Sequence, residues 1–254
     1  MTEKIEGIKF IDSMILGSLL GDGSIEMPTG HAINPRISFT QATWEKDYID
    51  YKHNLCNELY KTNNVREAHN NTYRFGISSK EKILTESMIA KTRYENNTRK
   101  LPKIDEINPV VILFWYLDDG SLTITETKRK NRKNSLSRKL KISLQSYKDD
   151  DILKFISDFK KKYDIEFKPQ YETIKGNKKI VSICLNNNLK EIIKFMDLIY
   201  PYKNLIPECM HYKFCICYKK TLQMKSEEYS KYNNCDFINT GICTCRKKDF
   251  SHLL

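Results

Sequence analysis

ILGSLLGDGSI (15–25) and ILFWYLDDGSL (112–122) end in nearly the same way, and their pairing governs how the rest of the chain is read. In each, a helix-like apolar run closes on an acid, a glycine and a serine. Asp22 falls on Asp119, Gly23 on Gly120 and Ser24 on Ser121, an offset of 97 residues. One acid–glycine pair after an apolar run is commonplace. Two copies in one chain predict two helices side by side, delivering two carboxylates to one place. Carboxylates held on rigid elements are a usual way to place divalent metals for phosphoryl chemistry. An acid at a helix C-terminus also opposes the helix dipole, so a solvated surface acid is the poorer explanation of both.

The duplication extends outward from these runs. RISFTQ (36–41) and KLKISLQ (139–145) alternate apolar and polar residues as half-buried strands do, and both end in glutamine. Gln41 on Gln145 gives an offset of 104, which predicts about seven extra residues in the second hairpin. Helix-period stretches follow at 44–60 and 148–163, then strand patterns at 72–78 and 178–185, then helices at 80–90 and 189–200. Leu101-Pro102 and Ile206-Pro207 close the two copies at an offset of 105. One order kept through offsets of 97, 104 and 105 predicts a duplicated unit with an insertion. Asn108-Pro109 reads as a capping residue and first-turn proline for the second acid-bearing helix. Gly17, Ser18 and Gly21 predict a close helix approach, small residues against Phe114, Trp115 and Asp118.

Composition bounds the partner. The 254 residues carry 43 Lys and Arg against 32 Asp and Glu, a formal charge of +11, with 40% hydrophobic residues. A globular chain with that surplus predicts a polyanionic partner, and no apolar run nears the roughly 20 residues of a membrane span. MTEKIEGIKF is no signal peptide. The eight cysteines gather toward the C-terminus without a secretory context, so thiols are expected rather than disulfides. A zinc site from Cys235, Cys243, Cys245 and His252 is the lesser alternative, because the pairs are C-x-C rather than C-x-x-C. The run KRKNRKNSLSRKLK (128–141) holds eight basic residues. It is expected to form the long second hairpin, with Arg129, Lys130 and Lys133 along a nucleic-acid backbone and Arg132 and Arg138 reaching guanine edges.

These residues resemble the LAGLIDADG homing endonucleases over roughly 8–218, and look most like the monomeric mitochondrial intron-encoded members. The resemblance implies an α+β fold of two αββαββα units, 1–104 and 105–218, followed by a tail at 219–254. The units would be related by a pseudo-twofold. Two antiparallel four-stranded DNA-binding sheets would meet at a central two-helix interface. It implies site-specific double-strand cleavage across the minor groove, by one chain, on a long asymmetric DNA target. Mg2+, with Mn2+ able to substitute, would be held by Asp22 and Asp119, with Gly21 and Asp118 just before them as further candidate ligands.

The resemblance also implies basic groups near the scissile phosphates, here Arg99, Lys100 and Lys213. It places Gln41 and Gln145 where active-site water is ordered. Arg36, Arg66, Arg74 and Lys179 become strand-borne DNA contacts. Two other readings use the same scaffold: an RNA maturase, and a non-catalytic DNA-binding regulator. Intact acids in both motifs favour the nuclease. The compartment stays open between an organelle and a bacterial or phage cytoplasm.

Overall fold

The computed structural model describes residues 2–28, 33–127, 135–174, 176–186 and 188–214. Arg129, Lys130, Arg132 and Lys133 of the basic run, and the tail at 219–254 with its cysteines, lie outside the described residues. The chain runs α1 (Thr2–Leu20), β1 (Gly23–Glu26), β2 (Arg36–Ala42), α2 (Lys46–Leu59), β3 (Arg66–Ala68), β4 (Thr72–Gly76) and α3 (Lys82–Thr92). The series repeats as α4 (Pro109–Asp119), β5 (Gly120–Thr127), β6 (Ser135–Ser143), α5 (Asp149–Tyr163), β7 (Lys168–Ile174), β8 (Asn177–Asn186) and α6 (Leu189–Ile199). Two antiparallel four-stranded sheets result, ordered β1-β2-β4-β3 and β5-β6-β8-β7, so the α+β expectation and the repeat hold element for element. Among the described residues no helix is long and apolar enough to cross a membrane.

Alternation sorts the strands into two faces. Along β2, Ile37, Phe39 and Gln41 are buried toward the helices, while Arg36 and Thr40 are only partly covered. Ser38, on the Arg36 side, is covered by Arg74, whose Nε donates to the hydroxyl at 2.7 Å.

The seam between the two units is α1 against α4. Residues Val110 to Leu117 of α4 are buried without a break, as a central helix requires. Asn108 caps this helix by accepting from the Val111 N–H at 3.0 Å, and its amide also donates to Ser13 of α1 at 2.8 Å. A Cβ on Gly17 would sit 2.5 Å from the Val111 carbonyl and 2.9 Å from Phe114 Cβ; one on Gly21 would sit 2.5 Å from Asp118 Cβ. The small-against-large seam expected from the sequence is therefore present.

One alignment is corrected. Gly23 pairs with Phe39 in β1–β2, and Gly120 pairs with Ile142 in β5–β6, so the strand offset is 142 − 39 = 103. Gln41 then corresponds to Leu144, and Gln145 to Ala42. The shared terminal glutamine misled by one residue, and in a strand one residue exchanges the faces. Gln41 and Leu144 are both buried, whereas Gln145 is exposed.

Candidate active site

The seam helices end side by side and deliver the acids. Asp119 is the last residue of α4, and Asp22 lies two residues beyond Leu20, after a turn in which the Gly21 N–H donates to the Ser18 carbonyl at 3.0 Å. Each acid is followed by a glycine because the chain folds back on its own helix. A Cβ on Gly23 would stand 2.7 Å from the Ser18 carbonyl oxygen, and one on Gly120 would stand 2.4 Å from that of Tyr116. The carbonyls of these glycines accept a cation each. Arg99 Nη2 donates to Gly23 and Lys213 Nζ to Gly120, both at 3.0 Å. Although Arg99 precedes its closing proline and Lys213 follows its own, each meets the glycine that follows the acid of its own unit.

The electrostatics are those of crowded acids. Burial pushes the Asp119 carboxyl up to about 7, with the charges of Asp22 and Asp118 adding to the shift and Arg99 and Lys213 opposing it. Asp22 keeps surface open to solvent, yet the protein around its carboxyl raises its pKa. The Asp118 charge adds to that shift, against Lys52, Lys213 and a hydrogen bond from Gln41. Glu45, which follows β2, also rises to about 7 through burial, with Lys213 opposing and Asp118 and Asp22 reinforcing. Lys213 is lowered by burial despite the pull of Glu45, Asp118, Asp22 and Asp119.

Asp118 serves a different purpose from its neighbour. Its carboxylate takes Lys52 Nζ at 2.7 and 2.9 Å, the Tyr48 hydroxyl at 2.9 Å and Gln41 Nε2 at 3.3 Å. The side chains of Lys52 and Asp118 are both 0% exposed. Lys52 also lies 4.2 Å from the Tyr48 ring centroid. With three donors on Oδ1, one on Oδ2 and no exposed surface, Asp118 is committed to the seam rather than open to a metal. The polar lock crosses the seam from the first unit to the second. Under the strand offset of 103, Lys52 corresponds to Phe155, which packs edge-on against Trp115 with ring centroids 5.4 Å apart. One unit is thus polar where the other is apolar.

The sequence profile of the LAGLIDADG DNA endonuclease family matches residues 12–190, most of the chain and both acid-ended helices. The chain belongs to that family. Among curated proteins, none matches the sequence significantly. Solved LAGLIDADG structures share the fold. The homing endonuclease I-WcaI bound to its DNA recognition sequence superposes with a TM-score of 0.58 at 20% identity, covering 81% of this chain and 85% of that one. I-LtrWI bound to target DNA gives 0.52 at 14%, covering 79% and 85%. The meganuclease I-SmaMI bound to uncleavable DNA gives 0.51 at 11%, covering 74% and 83%. At these identities the likeness is one of fold.

Against this LAGLIDADG frame the other expected residues divide. Arg36 and Arg74 share the open face of the first sheet, where both pair with Glu26, and Arg66 sits exposed opposite Arg74. Arg138 falls on the strand parity of Leu140 and Ile142, away from the open face. Lys139 and Lys141 take that face instead, with Lys139 donating to Gln170 at 2.6 Å. Lys179 turns to the Gln145 carbonyl at 2.7 Å, and Lys100 lies beside Tyr94 rather than with the acids. Gln41 reaches the acids; Gln145 is exposed.

Sequence reading missed Lys52, Tyr48, Glu45 and Tyr147. The last donates to the Leu20 carbonyl at 3.2 Å, beside Asp119 and Arg99. Lys52 left a signal: Ile49, Lys52 and Cys56 occupy one buried helix stripe, and a lysine in such a stripe needs an acid.

Proposed function

We propose that this chain is a monomeric, site-specific double-strand DNA endonuclease that hydrolyses phosphodiesters across the minor groove. Units 1–104 and 105–218 each supply one acid. The observation that carries the reading is the convergence of Asp22 and Asp119 at the ends of two buried helices, both with raised pKa. Crowded carboxylates call for a cation. Among the described residues no group of three or more metal-binding side chains forms a cage. That suits Mg2+, which commonly uses one or two carboxylates and leaves its other positions to water and substrate phosphate. Asp22 and Asp119 fit such an ion; Asp118, engaged by Lys52, is left out, and Gly21 is kept for packing. A bound divalent ion would lower the pKa of water and stabilise the leaving 3′ oxygen.

The protein's own groups do the rest. Arg99 and Lys213, held by the Gly23 and Gly120 carbonyls, offer positive charge to a phosphate arriving over either acid. Gln41 orients the Asp22 side, where Leu144 gives its counterpart no such group. The open sheet faces offer Arg36, Arg66, Arg74, Lys139 and Lys141 to the grooves on either side. Solved structures of the same fold bound to DNA support DNA as the partner. The test is incubation with supercoiled plasmid libraries carrying candidate sites, with and without magnesium. Linear product in magnesium, absent in chelator and in Asp22→Asn and Asp119→Asn, is expected. Binding to intron RNA without any DNA cleavage would overturn the reading.

A further inference from the structure

One residue along from Arg99, and apart from the acids, lies an open pocket lined by Arg93, Tyr94, Lys100 and Lys148, with Ile89 and Ala90 as its apolar wall. It joins the end of α3 to the loop before α5. Lys148 Nζ stands 4.3 Å and Lys100 Nζ 5.9 Å from the centroid of the Tyr94 ring, so one aromatic ring gathers two ammonium groups. The Tyr94 hydroxyl is fixed by the Asp151 carboxylate at 2.6 and 2.8 Å. Arg93 spends one N–H on the Asn97 carbonyl at 3.4 Å, while its Nε is buried without a hydrogen-bond partner. A buried guanidinium N–H left unsatisfied is costly and signals an absent acceptor. Among the described residues that line the pocket, Glu95 is the one acid, and the nearby Asp151 is engaged by the Tyr94 hydroxyl.

Two further observations fix what that acceptor is. Arg99, the next cation along, reaches both Ser146 at 3.4 Å and the Gly23 carbonyl beside Asp22, so the pocket is one residue removed from the acids. Its cations also have no counterparts in the other unit. The strand offset of 103 sets Glu45 against Lys148, and aligning the last residues of α3 and α6 sets Tyr200 and Pro201 against Arg93 and Tyr94. Cations, an unsatisfied donor and an aromatic platform suit a phosphodiester, since planar guanidinium and ammonium groups together hold its two free oxygens.

We infer that this pocket seats one backbone phosphate of the bound duplex, on one side of the cleavage centre only. The inference rests on the DNA reading above. Fluorescence anisotropy with a 40-bp labelled duplex, repeated over a series of salt concentrations, tests both separately. Arg93→Gln/Lys148→Gln should bind more weakly, with the slope of log affinity against log salt shallower by about 0.9, the value of one lost phosphate contact. Lys148→Gln alone should weaken binding in the same direction, which keeps the test available if the Arg93 change harms folding. Lys154→Gln/Lys161→Gln, which removes two exposed α5 charges, should leave the slope at the wild-type value. An unchanged slope in the pocket variants, or an equal fall in the α5 control, removes the pocket and leaves the DNA reading standing. Wild-type protein that binds no duplex at any salt would remove both.

Discussion

Lys52→Met takes the cation out of the seam while keeping most of its volume. Asp118 would keep the Tyr48 hydroxyl and Gln41 but lose the two contacts at 2.7 and 2.9 Å that neutralise it, in a place where its side chain is 0% exposed. Breaking a buried pair by removing one partner costs about 3–5 kcal/mol, because the remaining charge is stranded. The two surviving donors argue for the lower part of that range. Against a total stability of about 5–15 kcal/mol, such a loss is a large share of the whole. Urea unfolding of Lys52→Met, Asp118→Asn and the double variant, followed by tryptophan fluorescence, measures it. Each single change should destabilise strongly. The double change should recover much of the loss, since no charge is then left unpaired. A single-variant loss under about 1 kcal/mol, the level of a surface pair, would refute the buried lock. So would a double variant no better than the worse single.

Other consequences are checked more simply. Asp22→Asn and Asp119→Asn should each lose double-strand cleavage yet keep specific DNA binding in gel shifts; full cleavage by either would end the assignment. Calcium, with looser geometry and poorer activation of water, should support binding without cutting. Gly17→Ala should cost about 1–3 kcal/mol by forcing a methyl against the Val111 carbonyl, read by urea denaturation. In metal-free protein the raised Asp119 carboxyl makes folded protein bind more protons than unfolded protein between about pH 4 and 7. That contribution is complete below the unfolded pKa and is lost as the pH rises through about 7. Asp119→Asn should flatten the decline in melting experiments across this range, and a slope identical to wild type would contradict the burial of the group.

The fold was legible because the repeat is long and each element announces itself locally. Asn108-Pro109 opens α4, the three acids Asp149, Asp150 and Asp151 open α5, and period-2 runs mark β2 and β6. The two acids were legible from their identical surroundings. What escaped was whatever depends on a single residue of register or on contact between distant segments. Matching Gln41 to Gln145 followed residue identity, but the strand pairing obeys burial and put Leu144 in that place. Charge alone suggests Arg138 as a base reader, whereas the pleat gives the open face to Lys139 and Lys141. The Lys52–Asp118 lock joins residues 66 apart, so no local pattern could have named the partner even though Lys52 stood out on a buried stripe.

The seam also says something about how such a chain can be taken apart. Reassembly from two copies of the first unit would set Gly17 and Gly21 against their own likenesses and leave a void between α1 and its double. Two copies of the second would drive Phe114 into Phe114 and bring two Asp118 carboxylates together with no Lys52 for either. Neither unit therefore carries a surface that can recognise itself. Exchange of units between relatives will succeed only where the incoming helix brings the matching bulk, and where the lysine beneath it meets an acid.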